Sequence, residues 1–209
     1  MVKIRKGLLQ AGVEAALGTH AVLSLTSLAY GIYGRKTSTA FFDQEEAFDA
    51  KYYQFVTDFV RGMYSGKGTD RPNVIFGENI TFEDPAAICS SPKEVHEAFR
   101  ALKCATPESL STPKCVDVKP KGASIQLTYV LNQRYADVLD VKSLLIVEVH
   151  LAQIEGTADS NFIVDRFEEQ WNGIPPLRSY LFWIVRRING MVSWHLTRGF
   201  ISENGGSPI

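Results

Sequence analysis

Six side chains have the types that proton transfer needs: Asp84, His96, Tyr129, Glu148, His150 and Arg166. Moving a proton takes a base with a pKa near the working pH and a donor that holds the charge as it develops. Glu148 and His150 are two residues apart, so on a strand they share one face, where the carboxylate can orient the imidazole as a base. Tyr129 supplies a hydroxyl. Asp84 precedes Pro85, where aspartate commonly caps its own turn through backbone amides. His96 stands beside Glu97 on a charged helix face and is expected in solvent. The neighbours of Glu148 and His150 weaken the acid–base reading. Leu145, Val147, Val149 and Leu151 alternate with them, and a half-buried strand turns only one face inward. The aliphatic face is the expected interior, which predicts an apolar hollow with few titratable groups.

No serine, cysteine, zinc or dinucleotide constellation is visible in the sequence. Ser65-Gly66-Lys67-Gly68 lacks the spacing of a phosphate loop and follows no strand. Cys89, Cys104 and Cys115 have no metal-ligand spacing, and an odd count does not suit a disulfide framework. No metal or cofactor is expected. A net charge of −1 argues against nucleic acid as the main partner, because phosphate binding normally needs a basic surplus.

The elements that must position these groups are well marked. Phe48, Tyr52, Phe55, Val56, Phe59 and Met63 recur at helical spacing and predict a helix over Asp43–Met63. Val74, Phe76, Ile80 and Phe82 favour strand, with turn chemistry at Gly77-Glu78-Asn79. Ser91, Pro92 and Glu94 form a capping box that opens a helix carrying Val95, Phe99 and Leu102. A short strand at Lys114–Val118 precedes three long ones, Ser124–Arg134, Leu144–Ile154 and Asn161–Trp171. In the last, Ile163, Phe167 and Trp171 are read as one face and Arg166 and Glu168 as the other. The fold class is α+β: a curved antiparallel sheet wrapped around helices.

This order, together with Ile80-Thr81-Phe82-Glu83-Asp84-Pro85, resembles the nuclear-transport-factor-two-like cone fold, the SnoaL-like and ketosteroid-isomerase-like superfamily. The resemblance covers roughly residues 41–171. It implies an interior cavity in which a buried carboxylate or histidine–carboxylate pair works beside a tyrosine. On this chain those roles would fall to Asp84, His150 and Tyr129. The superfamily also contains binders and scaffolding subunits, so the fold alone fixes no function.

Both ends carry apolar appendages, which divides the chain into residues 1–40, 41–173 and 174–209. No formal charge occurs from Ala15 to Tyr33, while Lys3, Arg5, Lys6, Arg35 and Lys36 flank the run. Such a stretch fits a membrane helix, a helix packed on a partner through small residues, or a targeting segment. Leu177, Leu181, Ile184, Val185, Ile188 and Val192 make an apolar stripe in the C-terminal extension, and Asn189-Gly190 predicts a break in its helix. Leu17, Leu25, Tyr30, Trp183, Arg186, Arg187 and Trp194 are the expected membrane or partner contacts, with arginines meeting lipid phosphates and aromatic rings at headgroup depth. The function this favours is a non-catalytic accessory subunit of a membrane-associated assembly, most readily in a mitochondrial or plastid inner membrane. The alternative is an isomerase, dehydratase, hydrolase or binder that holds a small apolar ligand in the cavity.

Overall fold

The structure, a computed structural model, describes residues 2–34, 54–64, 74–102, 108–153 and 160–203, and the side chains of 13–34, 54–64, 75–102, 108–150 and 162–192. The chain order is α1 (Val2–Tyr33), α2 (Gln54–Tyr64), β1 (Val74–Glu83), β2 (Ile88–Cys89), α3 (Pro92–Leu102), β3 (Glu108–Ser109), β4 (Lys114–Lys121), β5 (Ser124–Tyr135), β6 (Leu139–Gln153), β7 (Ser160–Trp171) and α4 (Tyr180–Glu203). Seven strands form one sheet in the order β2-β1-β7-β6-β5-β3, with β4 also paired to β5. The architecture is α+β as expected, but the sheet is mixed: β1 runs parallel to β7. The helix expected from Asp43 is described only from Gln54, and Phe48, Tyr52 and Cys104 lie outside the described residues.

Alternation explains the core. Leu127, Tyr129 and Leu131 of β5, Leu145, Val147 and Val149 of β6, and Val164 and Phe167 of β7 are buried on one face. Against them pack Val56, Phe59, Val60 and Met63 of α2 and Val95 and Phe99 of α3. Each such aliphatic or aromatic side chain contributes roughly 1.5–3 kcal/mol by leaving water. Phe59 stacks on Phe167 at 6.1 Å and meets Phe76 edge-on at 5.6 Å, which ties α2 to β7 and β1.

Local departures from the sequence reading have local causes. Gly77-Glu78-Asn79 is not a turn; β1 continues through it, and the pairing with β7 shifts register between Phe76 and Thr81. A Cβ at Gly77 would lie 2.6 Å from Asp165 Oδ1, so the glycine marks a close approach. A second irregularity, between Glu148 and Val149, sets Val164 opposite Val149 and moves Ile163 off the buried face. One bulged residue reverses the alternation that follows it. The β5–β6 connection is tight, with Ala136 (φ 50°) and Asp137 (φ 58°) both left-handed and Tyr135 paired to Leu139.

The α3 cap forms as read: Ser91 Oγ accepts from the Glu94 amide at 3.3 Å, while Glu94 reaches back to the Ser90 amide at 2.8 Å. α4 runs unbroken through Asn189-Gly190. Gly190 sits where α4 touches β2: a Cβ there would lie 2.0 Å from the Ile88 carbonyl oxygen. The expected apolar stripe of α4 is only partly its docking face: Val185 is buried and Val192 lines a cavity wall. Leu181 and Ile188 are exposed, whereas Val185, Arg186 and Gly190 turn inward.

Candidate functional site

A cavity of about 540 Å³ opens between the sheet and the helices. Its wall is mostly apolar, built from Phe82, Ala98, Phe99, Leu102, Leu139 and Trp171, with Leu28 and Ile32 of α1 and Val192 of α4 closing one side. Four titratable side chains interrupt that wall, Asp84, Glu169, Tyr64 and Tyr135, and the Asn189 amide also lies on it.

Each is placed by a simple local rule. Asp84 leads the β1–β2 turn, where its Oδ1 accepts from the amides of Ala86 (2.7 Å) and Ala87 (2.5 Å). This is the capping role that an aspartate before proline plays. The same residue lines the cavity. Glu169 lies between Phe167 and Trp171 on β7, so the period of two carries it inward. Its Oε1 accepts from Ser143 (2.7 Å) and from the Trp171 indole (3.1 Å), and its Oε2 from Tyr64 (2.8 Å). Among the described residues no cation meets it.

The electrostatics follow. Burial pushes Asp84 up to about 6, against the pull of its two amide donors and of Arg186. Burial, then the Asp84 charge, push Glu169 up to about 7, although its three donors act the other way. Two carboxyls in one apolar hollow resist carrying two charges at neutral pH, so they titrate as a linked pair. Tyr64 and Tyr135 are held well above the usual phenol range, by burial first and the Glu169 charge second, and remain hydrogen-bond donors. Together these groups can give a proton to a carbonyl or hydroxyl, or take one back, inside an otherwise greasy chamber.

The sequence reading placed one of these groups and missed the others. Asp84 is on the wall as expected. Tyr129 is buried on the same sheet face, but its hydroxyl meets Thr57 at 3.2 Å and it does not line the cavity. His150 is on the opposite face, half-exposed, with Nδ1 2.6 Å from Asp165 Oδ2. The aliphatic half of β6 took the interior, as alternation required. Glu148 pairs there with Lys121 and Arg166. His96 is not free in solvent; its ring packs on Phe76 at 4.8 Å. The hollow was expected to hold few titratable groups, and those on its mostly apolar wall include Glu169 and Asp84. Phe167 and Trp171 were read as one face of the strand, and the same alternation puts Glu169 on that face.

The terminal contacts divide in the same way. Leu17 (64% exposed), Leu25 (66%) and Trp183 (46%) present apolar surface, and Tyr30 is half-buried. The Trp194 side chain lies outside the described residues. Arg186 and Arg187 are not available to lipid. Arg186 is fully buried, paired with Glu83 at 2.8 Å and donating to the carbonyls of Asp84 (3.0 Å) and Leu177 (2.8 Å). Arg187 forks onto both oxygens of Glu94 at 2.8 and 2.9 Å. Planar guanidinium groups take such bidentate pairs readily, and here they clamp α4 to the β1–β2 turn and to the start of α3. Cys89 and Cys115 are buried thiols pushed up to about 12 and about 11 by desolvation, which makes them unreactive.

Compared with protein-family models the chain matches none, and no curated protein matches it. Its chemistry therefore has to be read from the cavity.

Proposed function

We propose that this protein binds a small, largely apolar molecule carrying one hydrogen-bonding group, in a body of the nuclear-transport-factor-two-like cone type, while associated with a membrane. The observation that carries this reading is the pair Asp84 and Glu169 on the wall of an apolar cavity with no cation beside Glu169 among the described residues. Such a pair costs stability, and a ligand hydroxyl or carbonyl offers it a partner. Proton transfer on that ligand, as in an isomerase or dehydratase, is within the reach of the same groups.

Native mass spectrometry of the full chain purified from its own membranes tests the reading. A bound small molecule is expected on the wild type and lost in Ala98→Phe, which fills the cavity from α3. A molecule retained by a folded Ala98→Phe variant would show that it sits elsewhere.

A second reading, an accessory subunit of a membrane assembly, is favoured by the apolar rows that α1 and α4 turn outward. A mitochondrial or plastid inner membrane suits the basic residues Lys3, Arg5 and Lys6 ahead of the uncharged run. Gentle detergent extraction of native membranes separates the two readings. Migration with other protein chains supports the subunit; a lone chain loaded with ligand supports the binder.

A further inference from the structure

We infer that the cavity is filled from a lipid bilayer, through the seam between α1 and α4, with both helices lying against the membrane surface instead of one spanning it. This rests on the ligand-binding reading above and adds the route and the docking face.

Three observations converge on it. First, the helices that close one side of the cavity are the ones whose opposite sides are apolar and exposed. α1 places Leu28 and Ile32 on the wall and turns Leu17, Val22 and Leu25 outward; α4 places Asn189 and Val192 on the wall and turns Trp183, Ile188 and Met191 outward. An uncharged run between basic flanks, with Tyr180 and Trp183 stacked at 6.4 Å on the neighbouring helix, is what a headgroup boundary accommodates.

Second, the attachment of α1 opposes a spanning arrangement. Val13–Tyr33 is long and apolar enough to cross a membrane by length and composition. Yet its second half is bound to the body. Ser27 Oγ donates to the Pro85 carbonyl at 2.7 Å, Asn172 donates to the Ile32 carbonyl at 3.2 Å, and a Cβ on Gly31 would lie 2.6 Å from Pro85. A helix fixed along that length to a body rich in charge cannot also be surrounded by acyl chains there. Lying in the interface satisfies both its faces.

Third, the seam itself is polar. His20 Nε2 lies 2.9 Å from Asn189 Oδ1, and the Asn189 amide donates to Ser24 Oγ at 3.2 Å and to the Ala86 carbonyl at 2.8 Å. Side-chain hydrogen bonds of this kind are individually weak in net terms, so this seam can part where an interdigitated apolar contact would resist. Asn189 stands both in the seam and on the cavity wall. The ligand class that suits this path is a membrane-soluble amphiphile with a compact apolar body and a single hydroxyl or carbonyl.

The test uses the full chain and 1-pyrenebutanol as probe, read by energy transfer from tryptophan, Trp171 being on the cavity wall. The probe is delivered in two ways, dissolved in phosphatidylcholine–phosphatidylserine vesicles or carried by cyclodextrin in water. The variant is Leu17→Glu with Leu25→Glu, two exposed positions whose change is expected to leave the melting curve intact. Wild type is expected to float with the vesicles and to fill from them. The double variant should lose flotation and fill from vesicles about tenfold more slowly or worse, while filling from cyclodextrin at the wild-type rate. Equal filling of both proteins from vesicles, or a wild type that does not float, overturns the inference and leaves the binding reading standing. Filling from neither donor overturns both.

Discussion

Glu168 and Glu169 are adjacent on β7 and almost equally buried, at 2% and 3% exposure, yet they live in different electrostatic worlds. Glu168 faces away from the cavity and is paired with Arg166 and with Arg178. Glu169 faces the cavity and meets only neutral donors, Tyr64, Ser143 and Trp171. Burial is the same; company is not. On one side of the sheet Glu168 and Glu148 both meet the Arg166 guanidinium. On the other, Glu169 has been left to titrate near neutrality. A buried carboxylate paired with a guanidinium is a structural pin, whereas one among neutral donors in an apolar hollow is a group held ready for a ligand.

The largest effect expected on this comparison comes from unpairing a charge. Arg186→Met removes the partner of Glu83 and the donor to two backbone carbonyls, and should cost roughly 3–5 kcal/mol in urea unfolding. A loss below about 1 kcal/mol would mean the buried guanidinium does not hold α4 in place.

The next effect is a pH dependence. Glu169 has a folded-state pKa raised above its unfolded value, so its contribution is fully present below the unfolded pKa and is lost as pH rises through about 7. Glu169→Gln should therefore gain stability relative to wild type, by roughly 2–3 kcal/mol, between about pH 4 and about pH 8. Glu168→Gln should show no such gain, since it removes the charged partner that Arg166 and Arg178 share. Denaturant titrations of the three proteins at both pH values check this, and parallel behaviour of the two variants would erase the distinction between the faces.

Tyr64→Phe sharpens it further. Loss of one donor should cost about 1–2 kcal/mol and move the Glu169 midpoint higher, because that hydrogen bond favours the ionised form. The carboxyl C=O stretch followed by infrared against pH reports the midpoint; a downward move would mean Tyr64 acts through something else. The smallest effect is expected for Arg178→Ala. Its side chain is 67% exposed and Glu168 keeps Arg166, so the loss should stay under about 1 kcal/mol in thermal unfolding.

Much of this was legible in the residues. The capping box at Ser91, the strand alternation in β5 and β6, and the Asp84 turn are local patterns, and local patterns depend on neighbours a few positions away. Glu169 was legible too, since Phe167 and Trp171 set its direction. The side-chain role of the arginines in α4 was not. A basic, aromatic helix has the same composition whether its guanidinium groups meet lipid phosphate or Glu83 and Glu94, and only docking decides which face is covered. Likewise a bulge between Glu148 and Val149 moved Ile163 to the other side of the sheet, a shift that alternation counted along one strand cannot register.

By itself, then, the sequence determined the α+β class, the strands β4 to β7 and α3, and the apolar character of both terminal segments, because propensity, capping and periodicity act over short distances. Only the tertiary structure decided that β1 runs parallel to β7, that α4 turns Arg186 and Arg187 inward, and that Asp84 and Glu169 share one cavity. Those outcomes depend on pairings between residues a hundred positions apart, where burial and partner, not residue type, set whether a carboxyl is ionised.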